Sequence, residues 1–325
     1  MQNKTAQPFV SVIGGLNIDL QGSTDNPLVF NDSNPGEITM SAGGVGRNIA
    51  ENIAKLNIHS KILSYVGNDA LGDFVVNKSK ASGVDTSLIK KDSHLPTSQY
   101  LSVLDDNNDM LVSISDMRII DEMTIQDIQN WDQAIAQSSA IVVDTNIPIP
   151  VIKYLTDEYS NIPLFLDPVS FAKTSKIVEL IGRFHTVKPN RLETELISGV
   201  KITDNDSMLE AAQKIFDMGC KQIFITLGEE GVFYYDGKNF GLHLHQDANM
   251  ISANGAGDAF TAGVVYGFLN LNSIKETAEF ASAAAVIALR SANTISDELS
   301  EEHVQLLLRD CLLYTSDAAD EGLGV

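Results

Sequence analysis

Short apolar segments alternate with helix-compatible segments through the second half of the chain, and this alternation constrains the fold more than any other feature. The apolar segments lie at residues 140–146, 163–169, 185–190 and 221–228. Because parallel strands need a long crossover connection, usually a helix, this pattern favours a parallel sheet covered on both faces. The apolar segment at residues 9–15 has the same character and ends in two glycines. We therefore predict an α/β fold in which helices flank a mostly parallel central sheet.

Polar residues follow the predicted strands at their carboxyl ends. They are Asn17, Asp19, Asp144, Asn146, Asp167, Lys188, Asn190 and Thr226, with Gly228 close to the last of them. Ligands of open parallel sheets bind beyond the carboxyl ends of the strands. We therefore expect the binding site at this edge.

Two segments do not follow the alternation. Residues 17–41 are polar and rich in turn-forming residues, and residues 96–118 hold two strand-like segments around the stretch DDNND, which predicts a hairpin. We predict that both form a small separate sheet, which acts as a lid on a single domain over residues 1–310. Its exposed strands would leave unpaired edges, and we expect a homodimer through the lid.

Acidic residues outnumber basic residues by 43 to 22 in a chain of 325, which gives a formal net charge of −21. We find no Lys/Arg cluster, so nucleic acid is not an expected partner. A small anion remains a compatible ligand, because backbone N–H groups and a metal can bind it. No apolar segment approaches the ~20 residues of a membrane helix, and the first residues lack signal-peptide features. With Cys220 and Cys311 as the only cysteines, we expect a cytoplasmic protein without a membrane partner.

The stretch SANGAGDAF, residues 252–260, places three small residues before a carboxylate. Gly255, Ala256 and Gly257 permit close approach to the backbone, and the free N–H groups of a helix start favour negative charge. Asp258 would then stand beside a bound phosphoryl group, where it could accept the proton of an attacking hydroxyl. The alternative is a tight turn whose aspartate caps a helix.

The stretch KPNRLE, residues 188–193, places an amide and a carboxylate three residues apart. On a helix, Asn190 and Glu193 would share a face. An amide oxygen and a carboxylate can hold Mg²⁺ directly or through its water shell. The alternative is a helix start in which the same two residues form a capping box.

The stretch SAGGVGRN, residues 41–48, resembles neither of the common nucleotide loops. It lacks the Gly-Lys-Ser/Thr of a Walker loop, and no strand is predicted to lead straight into it, as a dinucleotide-binding fingerprint requires. Gly43 and Gly44 would let the backbone lie against a sugar, and Asn48 could bond a hydroxyl group.

Two further stretches end predicted strands. In GGLNID, Asn17 and Asp19 are suited to binding vicinal sugar hydroxyls, although a solvated turn is the alternative. In TLGEEG, Thr226, Gly228 and Gly231 could cover a nucleotide phosphate, although a plain β-turn is the alternative.

The order of these motifs is more specific than any one of them. A chain that carries GGLNID, GGVGRN, KPNRLE, TLGEEG and NGAGDAF in this order resembles the ribokinase (PfkB-type) family of sugar and nucleoside kinases, from about residue 9 to about residue 309. Within that family, the stretches SNPGEITMSAGGVGRNIAENIAKL, TSQYLSVLD, DPVS and HTVKPNRLE are most similar to the subgroup that phosphorylates the 5′-hydroxyl of pseudouridine.

The resemblance implies a three-layer ribokinase-like fold, an ATP- and Mg²⁺-dependent phosphotransferase, and roles for the motif residues. Asp258 matches the catalytic base, and the amides of Gly255, Ala256 and Gly257 match the anion hole. The matches to metal, substrate and nucleotide positions are Asn190 and Glu193 for Mg²⁺; Asn17, Asp19, Gly43, Gly44 and Asn48 for the substrate; and Asn190, Thr226, Gly228 and Gly231 for ATP. The lid matches a dimer interface of the subgroup.

Two positions depart from the family pattern. Ser252 stands where many members carry an aspartate that helps to hold a monovalent cation, so potassium dependence is doubtful. Asn254 replaces a small hydroxyl residue, with no predictable effect on the anion hole.

The final stretch, residues 311–325, differs in character from the rest of the chain. It resembles the translation of a transposon adapter used in sequencing libraries, and we interpret it as a non-native or disordered tail.

Three functions are compatible with these residues. The first is a pseudouridine kinase, the second a kinase for ribose, adenosine, fructose or another sugar or nucleoside, and the third a non-catalytic sugar or nucleoside sensor. Base selectivity would lie in lid and pocket residues such as Ser98, Tyr100 and Asp116. The presence of Asp258 disfavours the sensor, because a sensor needs no base.

Overall fold

The central sheet of the computed structural model has nine strands in the order β13-β12-β11-β10-β9-β8-β1-β4-β5. The structure describes residues 8–24, 26–106, 109–244, 250–252 and 254–309; the tail assigned to residues 311–325 lies outside these ranges. The strands of the central sheet are β1 Phe9–Ile13, β4 His59–Gly67, β5 Asp85–Asp92, β8 Ala140–Asp144, β9 Leu164–Asp167, β10 Thr186–Val187, β11 Gln222–Thr226, β12 Val232–Tyr235 and β13 Phe240–His243.

The predicted, mostly parallel sheet is confirmed. Every pairing from β11 across to β5 is parallel, whereas β11–β12 and β12–β13 are antiparallel. From β1 the chain adds β4 and β5 on one side and then β8 to β11 on the other. The strand order therefore reverses between β1 and β8, which is where ligands bind in sheets of this type.

Helices cover both faces of the central sheet. They are α1 Val45–Lys55, α2 Ala70–Ala81, α3 Arg118–Asp121, α4 Ile125–Asn130, α5 Asp132–Ile135, α6 Ile149–Glu158, α7 Phe171–Thr174, α8 Arg191–Ser198, α9 Asn205–Asp217, α10 Ala256–Asn270 and α11 Ile274–Leu289, with a last helical stretch at residues 301–309. None of the helices in the described residues is long and apolar enough to cross a membrane.

The alternating side chains of the strands supply two separate cores. Val10 and Val12 of β1 pack with α1, α10 and α11, whereas Ile13 of the same strand packs with α6 and α9 on the opposite face. Ile49 and Ile53 of α1 are fully buried, as the apolar stripe of that helix predicts. The three-layer α/β/α, ribokinase-like architecture is therefore present.

A second sheet, the lid sheet, has four strands in the order β3-β2-β6-β7, namely β3 Glu37–Gly43, β2 Asn17–Ser23, β6 Gln99–Leu104 and β7 Met110–Asp116. The two segments that do not follow the alternation supply all of its strands, and β6 and β7 form the predicted antiparallel hairpin.

The glycine loop before α1 differs from its prediction in one respect. Strand β3, which begins in the predicted lid segment, leads directly into Gly44 and α1, whereas the sequence predicts no strand leading straight into this loop. The reason is that β3 is mostly exposed and lacks an apolar run, so its sequence resembles a loop. It pairs antiparallel with β2 and not with the central sheet, so the loop is still not part of a dinucleotide-binding βαβ unit.

Candidate active site

The site lies where the strand order reverses, beyond the ends of β1 and β8. The buried carboxylate of Asp144 accepts hydrogen bonds from the backbone N–H of Gly15 and of Asn146, both at 2.8 Å. A Cβ atom at Gly14 would lie 2.4 Å from the Asp144 carboxylate, so only glycine fits there. These contacts fix the turn after β1, which begins the lid sheet.

Helix α10 begins at this edge of the sheet with a left-handed residue. Gly255 has φ 80°, and a Cβ atom added to it would lie 1.8 Å from the backbone oxygen of Thr294. Glycine is therefore required by both conformation and space. The first N–H groups of the helix, including those of Ala256 and Gly257, have no intrahelical acceptor and can bind an anion.

Asp258 lies in the first turn of α10 and contacts the first turn of α1. Its Oδ2 accepts a hydrogen bond of 2.8 Å from Nδ2 of Asn48, a residue 210 positions away in the chain. Burial, together with the nearby carboxylates of Asp167 and Asp144, raises the pKa of Asp258 to about 7, although Asn48 and Lys188 act in the opposite direction. A carboxyl group with a pKa near neutrality is suited to accepting a proton at physiological pH.

A largely buried lysine, with a side chain that is 13% exposed, lies beside this carboxylate. The Nζ of Lys188 is 3.3 Å from Oδ2 of Asp167, which also accepts a hydrogen bond of 2.9 Å from the hydroxyl of Thr261. Burial lowers the pKa of Lys188, but the carboxylates of Asp167, Asp258 and Glu193 outweigh it, so the net shift is upward and the lysine stays charged. Sequence reasoning placed Lys188 and Asp167 at strand ends but assigned them no role.

The predicted substrate residues meet at the base of the lid sheet. Asn17 is paired with Gly43 across β2 and β3, and its Nδ2 donates a hydrogen bond of 2.6 Å to Oδ1 of Asp19. A Cβ atom at Gly43 would lie 2.1 Å from Oδ2 of Asp19, and one at Gly44 would lie 2.5 Å from the oxygen of Gly15. Internal packing thus already requires both glycines, whereas the sequence suggested contact with a ligand.

Arg47 is a second buried cation that sequence reasoning missed. It is 5% exposed, and its Nη1 donates to the backbone oxygen of Ala42 at 2.8 Å and to Oδ1 of Asn48 at 3.2 Å, while Nη2 donates to the Glu51 carboxylate. Its position inside GGVGRN, directly before Asn48, was the available signal. Burial lowers the pKa of Arg47, against the opposing effects of Glu51, Asp19 and Asp258.

Asn190 and Glu193 form the capping box that was the alternative to a metal site. Oδ1 of Asn190 accepts from the N–H of Glu193 at 2.9 Å, and Oε2 of Glu193 accepts from the N–H of Asn190 at 2.9 Å. In the described residues, no group of three or more His, Cys, Asp or Glu side chains is arranged to hold a metal ion. One amide oxygen and one buried carboxylate fit a magnesium ion that keeps most of its waters and phosphate ligands. The magnesium role of this pair remains a prediction.

The predicted nucleotide residues continue from the same capping box. The N–H of Thr226 donates to the oxygen of Pro189 at 3.0 Å, and Thr226 forms an isolated parallel bridge with Asn190. Gly228 has φ 64° with open space at its Cβ position, whereas a Cβ atom at Gly231 would lie 2.1 Å from the oxygen of His243 in β13. Only Gly228 therefore leaves space for a ligand against its backbone.

Ser252 and Asn254 form a local turn. The N–H of Asn254 donates to Oγ of Ser252 at 3.2 Å, and the N–H of Ser252 donates to the oxygen of Leu289 at 3.2 Å. The hydroxyl of Ser252 is therefore used inside the turn. That potassium dependence is doubtful stays a prediction from the sequence.

Comparison with known proteins agrees with this arrangement. The chain is 35% identical to the pseudouridine kinase of Escherichia coli over 94% of its own length and 98% of that protein. It is similar to a solved structure from Clostridium perfringens described as a sugar kinase, with a TM-score of 0.86, 32% identity and coverage of 94% and 96% of the two chains. Arabidopsis thaliana ribokinase, solved with ribose and ATP, has the same fold, with a TM-score of 0.81, 21% identity and coverage of 93% and 99%. The family model of pfkB carbohydrate kinases matches residues 7–301. This chain belongs to the PfkB family of carbohydrate kinases, phosphotransferases that act on a hydroxyl group.

Proposed function

We propose that this protein transfers a phosphoryl group from ATP to the 5′-hydroxyl of pseudouridine. The observation that carries the proposal is the hydrogen bond between Asn48 and Asp258, which joins the first turn of α1, directly after the lid strand β3, to the start of α10. The similarity to the E. coli pseudouridine kinase over nearly the whole of both chains supports the choice of substrate. Since the reaction consumes ATP, we keep the cytoplasm as the proposed compartment.

In this proposal Asp258 is the general base. Its carboxylate would accept the proton of the 5′-hydroxyl while the oxygen attacks the γ-phosphorus and the bond to the leaving oxygen of ADP breaks. The raised pKa of about 7 makes Asp258 a stronger base than an exposed aspartate, while a useful fraction stays ionised at neutral pH.

Charge on the transferred group would be balanced by the protein. The N–H groups at the start of α10 point beyond the end of the helix. Lys188 lies close to them, as its Nζ would be 3.4 Å from a Cβ atom added at Gly257. Mg²⁺, when bound, would neutralise charge on the phosphates near Asn190 and Glu193. Catalysis of phosphoryl transfer is largely such positioning and electrostatic stabilisation.

The sugar would lie between the start of α1 and the base of the lid sheet. Asn17, Asp19 and Asn48 offer amide and carboxylate groups there, and burial raises the pKa of Asp19. A carboxylate that already accepts from Asn17 retains lone pairs for vicinal hydroxyl groups of a ribose-like ring.

The two faces of the lid sheet differ in polarity. Because paired residues share a face, Asp19, Ser41, Tyr100 and Ser115 lie on one face. Ser98, directly before β6, continues the same face. Ser98 is 2% exposed, and its buried hydroxyl has no hydrogen-bond partner among the described residues. We assign Ser98 to recognition of a polar group of the nucleoside, since an unpaired buried hydroxyl is costly until a ligand fills it.

Asp116 does not share that face. It is paired with Gln99 and held by Arg118 through hydrogen bonds of 2.8 and 2.7 Å, so it is a poorer candidate for base recognition than the sequence suggested.

The opposite face of the lid sheet supports a homodimer. Leu20 on this face packs against the core of the central sheet, and the apolar residues beyond it on the same face are exposed. Their exposed fractions are 78% for Ile38, 45% for Met40, 53% for Val112 and 62% for Ile114. Contiguous exposed apolar surface of this kind commonly marks a protein interface. We propose that a second copy of this chain covers it.

The test is Mg²⁺-dependent ADP release with pseudouridine, uridine, adenosine, ribose and fructose compared side by side. Strong preference for pseudouridine over uridine is the expected result, since those two differ only at the glycosidic linkage and base edge. Turnover of a different sugar or nucleoside would keep the kinase and reject the substrate. Binding of a substrate without any turnover would favour the sensor.

A further inference from the structure

We infer that Arg47 is a positioning residue that fixes the amide of Asn48 with its nitrogen toward Asp258, and so favours the ionised, proton-accepting form of Asp258. This inference rests on the proposed function for its kinetic consequence, but its structural content does not. Three consecutive contacts carry it: Glu51 with Arg47, Arg47 with Oδ1 of Asn48, and Nδ2 of Asn48 with Asp258.

The chemistry of the groups decides the direction of the amide. A guanidinium only donates hydrogen bonds, so it accommodates the oxygen of the Asn48 amide and not its NH₂ group. With the oxygen directed at Arg47, the NH₂ group faces Oδ2 of Asp258 at 2.8 Å. That donor stabilises the carboxylate more than the carboxylic acid. If the amide were free to rotate by a half turn, its oxygen would face Asp258 and stabilise the protonated form.

Arg47 is itself held rigidly enough to impose this choice. It is buried, its Nη1 also donates to the backbone oxygen of Ala42, and its Nη2 is paired with the buried Glu51 one turn further along α1. A guanidinium is planar and holds its N–H groups at fixed angles. The bonds to Ala42 and Glu51 therefore also fix the direction of the Nη1 donor that faces Asn48.

The other charged groups around Asp258 do not all favour its ionised form, so a hydrogen-bond donor from α1 affects its ionisation. Asp144 at the end of β8 and Asp167 at the end of β9 both disfavour its ionisation, as burial does. Lys188, after β10, and Arg47, on α1, act in the opposite direction. Without the donor from α1, the ionised form would depend on Lys188, whose Nζ is shared with Asp167.

Three variants separate the amide effect from simple charge. Arg47→Lys keeps the charge, but its single ammonium nitrogen pairs with Glu51 and no longer fixes the amide of Asn48. The acid limb of the profile of kcat/KM against pH is therefore expected to shift to higher pH by about half a unit to one unit. The double variant Arg47→Met with Glu51→Gln removes both buried charges together and is expected to move the limb at least as far. Glu51→Gln alone is the matched control, because the amide oxygen of glutamine still accepts from Nη2 of Arg47 and holds the guanidinium in place. The loss of the Glu51 carboxylate does not itself raise the pKa of Asp258, since a nearby negative charge disfavours ionisation.

The expected pattern is an upward shift in both Arg47 variants and no upward shift in the control. Below the limb, the Arg47 variants then lose about three- to tenfold in rate relative to wild type and recover at high pH. An equal loss at every pH would overturn the inference and leave Arg47 with a purely structural role. An upward shift in the control would overturn it too.

A second readout does not depend on catalysis. The carboxyl carbon of Asp258 can be followed by ¹³C NMR through a pH titration of the unliganded protein, with its signal assigned by its loss in Asp258→Asn. An upward shift of that titration in Arg47→Lys supports the inference even if no substrate of the panel is phosphorylated, in which case the proposed function alone fails. An unchanged titration overturns it.

Discussion

Replacing Asp258 by asparagine is expected to make the protein more stable and much less active. The pKa of Asp258 is raised from 3.8 to about 7, so the folded protein binds this proton more tightly than the unfolded chain does. Stability from this group is therefore full at low pH and is lost as the pH rises from about 4 to about 7. Asparagine has nearly the same shape and cannot ionise, so it avoids that loss.

The size of the effect follows from the pKa shift. Each unit corresponds to about 1.4 kcal/mol, so a shift of roughly three units costs the wild type about 4 kcal/mol at about pH 8 and roughly 1.5 kcal/mol at about pH 5. Asp258 retains some exposure in the cleft, where water screens its charge, so we expect about 2 to 4 kcal/mol of stabilisation at the higher pH. Turnover should fall by about a hundredfold or more, the usual scale for loss of a general base.

The assay is urea denaturation of wild type and Asp258→Asn at both pH values, with ADP release measured on the same samples. The advantage of the variant should grow between the two pH values by about 2 kcal/mol. As a control, Asp206→Asn changes an exposed aspartate of α9 and should alter stability by less than about 0.5 kcal/mol at either pH. A variant that is less stable at high pH would refute the electrostatic reasoning, and near-normal turnover would remove Asp258 from the mechanism.

Further predictions concern the glycine turn at Gly255, the proposed recognition residue Ser98 and the lid sheet. Gly255→Ala should lower the free energy of unfolding by at least about 2 kcal/mol in thermal denaturation. Gly199→Ala, also at positive φ but with open space at its Cβ position, should lower it by only about 1 kcal/mol. Equal losses would mean that the backbone relaxes around an alanine at position 255. Ser98→Ala should raise KM for the nucleoside by about three- to tenfold with little change in stability. Ser282→Ala, at a serine that is equally buried and also unpaired among the described residues, should change neither KM nor stability. An unchanged KM in Ser98→Ala would remove Ser98 from recognition. Ile114→Lys should convert a dimer to a monomer in analytical ultracentrifugation, and a monomeric wild type would reject the lid interface.

The sequence was sufficient for the parts of the fold that depend on local pattern. Apolar runs such as residues 140–146 become strands because both faces of each strand are buried. Strand β5, at the edge of the sheet, carries lysines and is only half-buried, so its identity depends on pairing with β4 and is not visible in its own residues. The antiparallel strands β12 and β13 were missed because they depart from the alternation that identified the others.

The candidate site was predictable residue by residue but not as an arrangement. Asn48 and Asp258 were each singled out by a motif, yet no local signal shows that their side chains meet across 210 positions. Arg47 and Lys188 were given no role because a charged residue within a loop motif is usually solvated, and only the structure shows both to be largely buried among carboxylates. The capping box at Asn190 shows the reverse case, in which one pattern serves local structure and leaves its second use to be tested.

The two-faced lid sheet limits which length changes the chain can accept. Successive residues of a strand alternate between the polar side, where we propose that the nucleoside binds, and the outer apolar side. Deleting one residue within β2 or β6 would therefore exchange the two sets beyond that point. Apolar side chains would then face the proposed substrate site and polar side chains the outer surface, so both surfaces would be disrupted together. Losses or gains of two residues keep the alternation intact. The irregular pairing between Val103 and Leu104, next to the turn of the hairpin, is the place where an odd number can be absorbed without reaching either surface. Variation in the length of this lid among relatives should therefore collect at the hairpin tip and occur in even steps elsewhere.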